Sequence, residues 1–455
     1  MNTGLLQKYN VPVPRYTSYP PANFFRSGFS EEDLHKAIVR SNETDPPHLS
    51  FYIHIPYCRQ MCFYCGCNSY PMAKTDEVSR YVDAVLKEID LVCGYIRSNR
   101  KIAQIHYGGG TPTAIPAAFI EKINRALLSR FDRIANPEIA IECHPGYMDE
   151  SGFASLVGAG FNRMSLGIQD FDNNVLKAVN RKSALLPIER IFKFLRQNKI
   201  RINLDFIYGL PLQTAERFSK TIGKAIDLSP DRLVTFSYAH LPSLFPRQLV
   251  LDKRGLPERE EKERMFEKAR ILLFESGYKA VGLDHFVRED DELYAALQKG
   301  ELHRNFQGYC TRRTTGQVYA FGVTGISQLS MAYTQNTKNM AQYIETLESG
   351  HLPVEKGYAL TEREQIVREV ITDLMCNERI NWRQIASRMN ISVADVKQAT
   401  AFSEQKMQGF ADDGIIRLDE EGLVMLEKGS PFIRNVAASL DVLLQGANKL
   451  FSTPV

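Results

Sequence analysis

From residue 48 onward the chain repeats one pattern at least six times: a short apolar run, then an amphipathic stretch. The runs LSFYIHI, AQIHYGG, EIAIECHP, NRMSLGIQ, RINLDFIYGLP and RLVTFSYAHL each read as a buried strand. Between them, EVSRYVDAVLKEIDLVCGYI, PAAFIEKINRALLSRF and TAERFSKTIGKAIDL carry apolar residues at helical spacing. Strands that alternate with helices of this length form a parallel sheet, because each return must cross over the sheet face. The expected fold is therefore α/β, with a partial TIM-type (β/α)6 barrel at its centre.

In barrels of this type the C-terminal ends of the strands carry the site. Here those ends hold Gly108–Gly110, Glu142, Gln169, Asp205 and Ala239-His240. Glycines make tight turns and polar residues cap helices, but five successive strands ending this way point to a shared site.

The flanks read differently. Residues 1–47 form an N-terminal arm rich in Pro, Tyr and Ser, with one helix expected at SEEDLHKAIVRS behind Ser30 as N-cap. The barrel occupies 48–360. Over 361–455 the strand rhythm stops, and three helices followed by a small hairpin resemble a winged-helix domain. Those helices mix acidic and basic residues and the net charge is only +3, so nucleic acid is not an expected partner. No apolar run reaches the roughly 18–20 residues needed to span a bilayer, and the N-terminal stretch lacks an apolar signal core. A cytoplasmic monomer with no membrane partner is expected.

Four of the eight cysteines crowd into YCRQMCFYCGC, at Cys58, Cys62, Cys65 and Cys67. In a reducing compartment such clusters serve metal or redox chemistry rather than disulfides. Four thiolates can hold zinc, but structural zinc sites usually split their ligands into two separated pairs. Here all four lie on one loop directly after a strand, and the Cys65-Gly66-Cys67 gap makes wrapping one small ion difficult. Three thiolates at C-x3-C-x2-C spacing can instead face three corners of an iron–sulfur cubane. The fourth iron then stays open to a small molecule, and Cys67 is a spare thiol near the site.

The C-x3-C-x2-C loop after the first barrel strand resembles the signature of the radical S-adenosylmethionine (SAM) superfamily. Further segments narrow the resemblance: RYTSYPPA (15–22), YIHIPYC (52–58), CGCN (65–68), HYGGGTPT (106–113), SLGIQDF (165–171), NR (180–181), DFIYGLP (205–211), YAHLPSLFP (238–246) and LHRNFQGYCT (302–311). Together they closely resemble the oxygen-independent coproporphyrinogen III oxidase family, from about residue 10 to the C-terminal domain. The resemblance implies a [4Fe–4S] cluster on Cys58, Cys62 and Cys65, with SAM chelating the open iron and split to a 5′-deoxyadenosyl radical. It implies oxidative decarboxylation of two propionates of coproporphyrinogen III to vinyls, giving protoporphyrinogen IX in haem biosynthesis, with a reductant such as flavodoxin or ferredoxin. It places Tyr52, Gly109, Glu142 and Ile326 around the cluster-bound SAM. Around a second SAM it places Tyr64, Gly110, Thr111, Gln169, Arg181, Asp205 and Ala239. The substrate carries four carboxylates, and Arg15, His303 and Arg304 are the candidate partners, with Cys67 a further candidate catalytic group. The arm, with Tyr16 and Tyr19 as flat faces for a tetrapyrrole, is expected to close over the barrel mouth.

Two positions depart from the family pattern: Cys310 where Thr is common, and Cys143-His144-Pro145 where an acidic-proline pair often ends the third strand. Cys93 and Cys376 sit in helical patterns and read as buried hydrophobes. Alternatives on the same scaffold are a haem chaperone and a radical SAM haem-degrading enzyme. Chaperone relatives typically lack the RYTSYP arm and the cysteine after the triad, and this chain has both.

Overall fold

The computed structural model describes residues 3–312, 314, 316–444 and 451. Its centre is six parallel strands: β1 (His48–Ile55), β2 (Lys101–Gly109), β3 (Arg133–Cys143), β4 (Arg163–Gln169), β5 (Arg201–Tyr208) and β6 (Arg232–Ser237). They lie side by side in chain order. Beyond β6 the antiparallel pair β7 (Lys279–Val281) and β8 (His285–Val287) extends the sheet, and beyond β1 it gains β9 (Tyr319–Phe321), parallel to β1. The result is a curved open sheet, a partial barrel as the strand rhythm predicts.

Side chains alternate faces along a strand, and this chain uses the two faces for opposite purposes. Leu49, Phe51, Ile53 and Ile55 of β1, Ile139 and Ile141 of β3, and Ile202, Leu204 and Phe206 of β5 point outward into the main apolar core. Helices cover them; Ile188–Gln197, for example, buries Ile188, Ile191, Phe192 and Leu195 at helical spacing. Each such side chain contributes about 1.5–3 kcal/mol on full burial. The inward residues of β2 to β5 are mostly polar, and they line a cavity.

The C-terminal region corrects the sequence reading in two places. The third expected helix breaks into Val393–Ala399 and Glu404–Asp412. Thr400 turns extended, the Ala401 amide donates to the Leu440 carbonyl, and Ser403 caps the next helix. Leu440 ends a further helix, Ile433–Leu440, that the sequence reading does not anticipate. The hairpin strands Ile416–Leu418 and Gly422–Met425 are joined by Arg379–Asn381 in a three-stranded antiparallel sheet.

The arm also differs from expectation. It begins with a helix, Thr3–Tyr9, and the helix Glu31–Ser41 starts with a capping box between Ser30 and Asp33. Tyr16 and Tyr19 are buried, and with Leu5 and Tyr9 they join the C-terminal core beside Val367, Phe410 and Val436. The Tyr16 hydroxyl donates to Asp441 at 2.8 Å, Arg434 donates to the carbonyls of Pro14 and Val13, and Asn435 donates to the Tyr9 carbonyl. These rings are therefore consumed by packing and offer no free face to a ligand. Arg15, between buried neighbours, is exposed. Among the described residues, no helix is long and apolar enough to cross a membrane.

Tyr16→Phe should lower unfolding stability by about 1–3 kcal/mol, because it leaves a buried carboxylate short of a donor. Arg15→Ala should change it by less than about 0.5 kcal/mol. Chemical denaturation of both variants checks this, and equal stability would show that the arm is not anchored at Asp441.

Candidate active site at the mouth of the barrel

The cysteine loop leaves the end of β1 and is pinned at both ends. The Tyr70 amide donates to the Pro56 carbonyl at 2.7 Å and the Met72 amide to the Cys58 carbonyl at 2.9 Å. Its middle is held by the segment after β4. Asn180 Nδ2 donates to the Met61 carbonyl at 2.9 Å, Gln60 Nε2 donates to Asn180 Oδ1 at 2.7 Å, and the Phe63 amide donates to the Val179 carbonyl. Cys58, Cys62, Cys65 and Cys67 all line one cavity of about 380 Å³, with Cys67 the most exposed of the four.

Cations stand beside two of the triad positions. Arg181 Nη1 lies 3.6 Å from Cys62 Sγ and 3.1 Å from the Tyr64 hydroxyl, while its other nitrogen donates to the Gly167 carbonyl. The Cys65 thiol is pushed down, chiefly by a hydrogen bond from Cys67 and also by the charges of Arg247 and Arg181, which together outweigh its burial. Burial raises Cys58, with Thr111 Oγ1 at 3.5 Å as a counterweight. Three thiols on one loop beside fixed cations are a donor set suited to an iron–sulfur cluster, and the adjoining cavity has the size of a small-molecule site.

Glycines let the strand end approach this loop. A Cβ on Gly110 would stand 2.5 Å from the Pro56 carbonyl oxygen and 3.0 Å from Cys58 Sγ, and Gly109 has φ +121° with His54 and the Ile55 carbonyl inside 3 Å of any Cβ. Only glycine fits both demands.

The remaining residues fall into two groups. Gly109, Gly110, Thr111, Glu142, Gln169, Arg181 and Asp205 line the cavity with the cysteines and Tyr64. Tyr52 stands behind Glu142 and stacks on His106. Glu142 Oε1 is 3.4 Å from His106 Nε2. Asp205 is pushed up to about 6 by burial, partly offset by the Ser165 hydroxyl at 2.7 Å. Gln169 adopts φ +66° at the end of β4, and both its amide and Arg181 crowd the open side of Gly167. Tyr52, Ile326 and Ala239 are not among the cavity-lining residues. Ile326 packs against the cluster of Phe25, Tyr333 and Leu360, and the Ala239 carbonyl accepts from Gln248 at 3.3 Å.

The three basic candidates separate. His303 and Arg304 are neighbours in the strand Leu302–Asn305 and so face opposite ways. Arg304 stacks at 4.7 Å on Tyr309, which lines the cavity. His303 is buried, with Arg312 and Glu369 as its charged neighbours, and its pKa is pushed down to about 3 chiefly by burial. It is not among the cavity-lining residues. Arg15 and Arg304 both act on half-buried Asp284, where desolvation is outweighed by the hydrogen bond from His285 and the charges of His285, Arg304 and Arg15.

Sequence reasoning misses the cavity floor. Glu138 is 2.7 Å from Arg163 Nε, 3.6 Å from Arg232 Nη1 and 2.9 Å from Gln104 Nε2, and Arg232 makes a two-pronged bond to Asp291. Arg163 and Arg232 open their strands, and Gln104 and Glu138 lie before the C-terminal ends of theirs. Period-two alternation counted back from Glu142 and Asp205 reaches Glu138 and Asn203, and from His106 it reaches Gln104, all on the same inward face.

An open six-strand parallel barrel with a three-cysteine loop at the end of its first strand defines a radical SAM enzyme, and a family model described as the radical SAM superfamily matches residues 52–225. The chain is 37% identical to an oxygen-independent coproporphyrinogen III oxidase of Helicobacter pylori, covering 98% of this chain and 97% of that protein. It is 38% identical to a protein of the same name from Synechocystis, covering 98% and 96%. The solved Escherichia coli coproporphyrinogen III oxidase (HemN), described as a radical SAM enzyme, superposes with a TM-score of 0.87 at 35% identity over 97% of this chain and 99% of that one. The chain belongs to the oxygen-independent coproporphyrinogen III oxidase family, a family of radical SAM oxidoreductases.

Anaerobically reconstituted protein should hold about four iron atoms per chain. Cys58→Ser, Cys62→Ser and Cys65→Ser should lose the cluster, and Cys67→Ser should keep it. Gly110→Ala should also lose most of the iron, because its methyl displaces Cys58. Iron analysis and the visible spectrum check all five variants.

Proposed function

We propose that the chain catalyses oxygen-independent oxidative decarboxylation of coproporphyrinogen III, converting two propionates to vinyls and giving protoporphyrinogen IX. The observation that carries this reading is the meeting, in one cavity, of the cysteine triad with Glu142, Gln169, Arg181 and Asp205 in a chain that matches the named oxidases over nearly its whole length. A [4Fe–4S] cluster on Cys58, Cys62 and Cys65, with its SAM, would supply the electron and the 5′-deoxyadenosyl radical that takes a hydrogen atom from a propionate β-carbon; the substrate radical would then lose CO2 and pass one electron to a one-electron acceptor, leaving the vinyl. The protein supplies position, charge and dryness.

Glu142, at the end of β3, accepts hydrogen bonds from a SAM ammonium or ribose, with Tyr52 and Gly109 beside it. Arg181 pairs with a carboxylate of a second SAM, and Tyr64, Gly110, Thr111, Gln169 and Asp205 complete that second site. Asp205 is ionised above about pH 6, so it is an acceptor at neutral pH. Ile326 and Ala239 act on the two SAM sites through the backbone that they position. Arg304 and Arg15, at the Asp284 edge, meet substrate propionates. Cys67 stands next to the triad as a spare thiol available to the reaction. Residues 48–360 form the catalytic unit, and the arm and residues 361–455 clasp each other beside it. A small one-electron carrier such as flavodoxin or ferredoxin supplies the reductant, and the enzyme works as a cytoplasmic monomer.

Incubated anaerobically with SAM, reductant and coproporphyrinogen III, the protein should consume two SAM per protoporphyrinogen IX, with a tricarboxylic intermediate appearing first. Mass analysis that finds a methylated porphyrin or a linear tetrapyrrole instead would overturn the reading. A second test follows from Asp205. Its acceptor charge is lost as pH falls through about 6, so SAM affinity should fall in the same window. In Asp205→Asn the affinity should be lower at pH 8 and nearly flat between pH 5.5 and 8, as measured by equilibrium binding.

A further inference from the structure

A tetracarboxylate ligand needs cationic partners, and most cations of the cavity are already taken. Arg163 and Arg232 are held by Glu138 and Asp291. Arg181 is spent on the Gly167 carbonyl, Tyr64 and Cys62. His106 faces Glu142 at 3.4 Å, and His285 faces Asp284 at 2.7 Å. His144 accepts from the Gly146 amide at Nδ1 and is held neutral by burial.

Arg247 is different. It lines the same cavity, and its Nη1 is buried without a hydrogen-bond partner. Among the described cavity-lining residues it is the one arginine with such an atom. The loop that carries it is firmly seated on the cysteine loop. Gln248, next in the chain, accepts from the Leu241 amide at 2.6 Å and donates to the Tyr64 carbonyl at 2.9 Å. The Phe245 ring lies 3.1 Å from where a Cβ on Gly66 would stand. The backbone that carries Arg247 is thus seated beside the cavity, and the Arg247 charge is close enough to act on Cys65. A buried guanidinium nitrogen with no partner calls for an anion, and its planar fork matches a carboxylate.

We propose that Arg247 is a substrate-binding residue that takes one propionate carboxylate of the tetrapyrrole, fixing how the macrocycle sits against the cysteine loop. This rests on the substrate reading above and adds a specificity contact to it.

The test is equilibrium binding of coproporphyrin III, the unreactive oxidised form, to anaerobically reconstituted protein, with its tetramethyl ester as the uncharged control. Arg247→Gln should bind the tetra-acid roughly 10- to 100-fold more weakly than wild type. Its affinity for the ester and for SAM should stay within about threefold, and Arg247→Lys should recover part of the tetra-acid affinity. If Arg247→Gln loses iron, Arg247→Met with normal iron content replaces it. Unchanged tetra-acid affinity, an equal loss for the ester, or a loss confined to SAM would each overturn the proposal. So would a shifted cluster potential with porphyrin binding intact, which would assign Arg247 to the cluster. Wild type that binds no coproporphyrin would sink the substrate reading as well, whereas wild-type binding with an unaffected variant sinks this proposal alone.

Discussion

Glu138 sits inside the barrel between Arg163 and Arg232, and the shape of the site depends on that contact. Burial alone would raise its pKa, but the two arginines outweigh burial and hold it down to about 2. A buried carboxylate stripped of one such partner costs about 3–5 kcal/mol, so the group locks β3, β4 and β6 to one another. It forms the floor of the cavity. Above it, the same inward faces carry His106, Glu142, Ser165 and Asp205 toward the mouth. The outward faces of those strands are apolar and hold the helices in place.

The cysteine loop crosses that mouth. It is held by backbone and amide bonds to Asn180 and Val179, while Arg181, the next residue, reaches Cys62 and Tyr64. One short segment after β4 therefore both shapes the loop and sets the charge beside its thiols. On the far side Gly110 lets the backbone after β2 come within contact of Cys58. These contacts make the site a property of four strand ends rather than of the cysteine motif alone.

Much of this is legible in the sequence, because period-two and helical spacing report directly on which face is buried. All six barrel strands and most cavity-lining strand ends can be read that way, and the cysteine cluster stands out by its own C-x3-C-x2-C spacing. The cysteines of the helical patterns, Cys93 and Cys376, are buried as expected. What escapes has identifiable causes. Thr400 breaks a helix because the Ala401 amide finds a tertiary acceptor in Leu440. Tyr16 and Tyr19 are buried by a domain more than 340 residues away in the chain, a contact no local pattern encodes. His303 and Arg304 look equivalent as letters, yet strand alternation turns one toward Arg312 and Glu369 and the other onto Tyr309. The floor charges are missed because attention to strand C-terminal ends overlooks residues earlier on the same inward face.

In the proposed reaction this cavity directs removal of a hydrogen atom from the propionate β-carbon. Coproporphyrinogen III deuterated at those carbons tests it most directly, in a single anaerobic incubation with SAM and reductant. The expected product is 5′-deoxyadenosine one mass unit heavier, with one deuterium lost from each propionate that becomes a vinyl. Unlabelled 5′-deoxyadenosine, with the label intact in the tetrapyrrole, would contradict it.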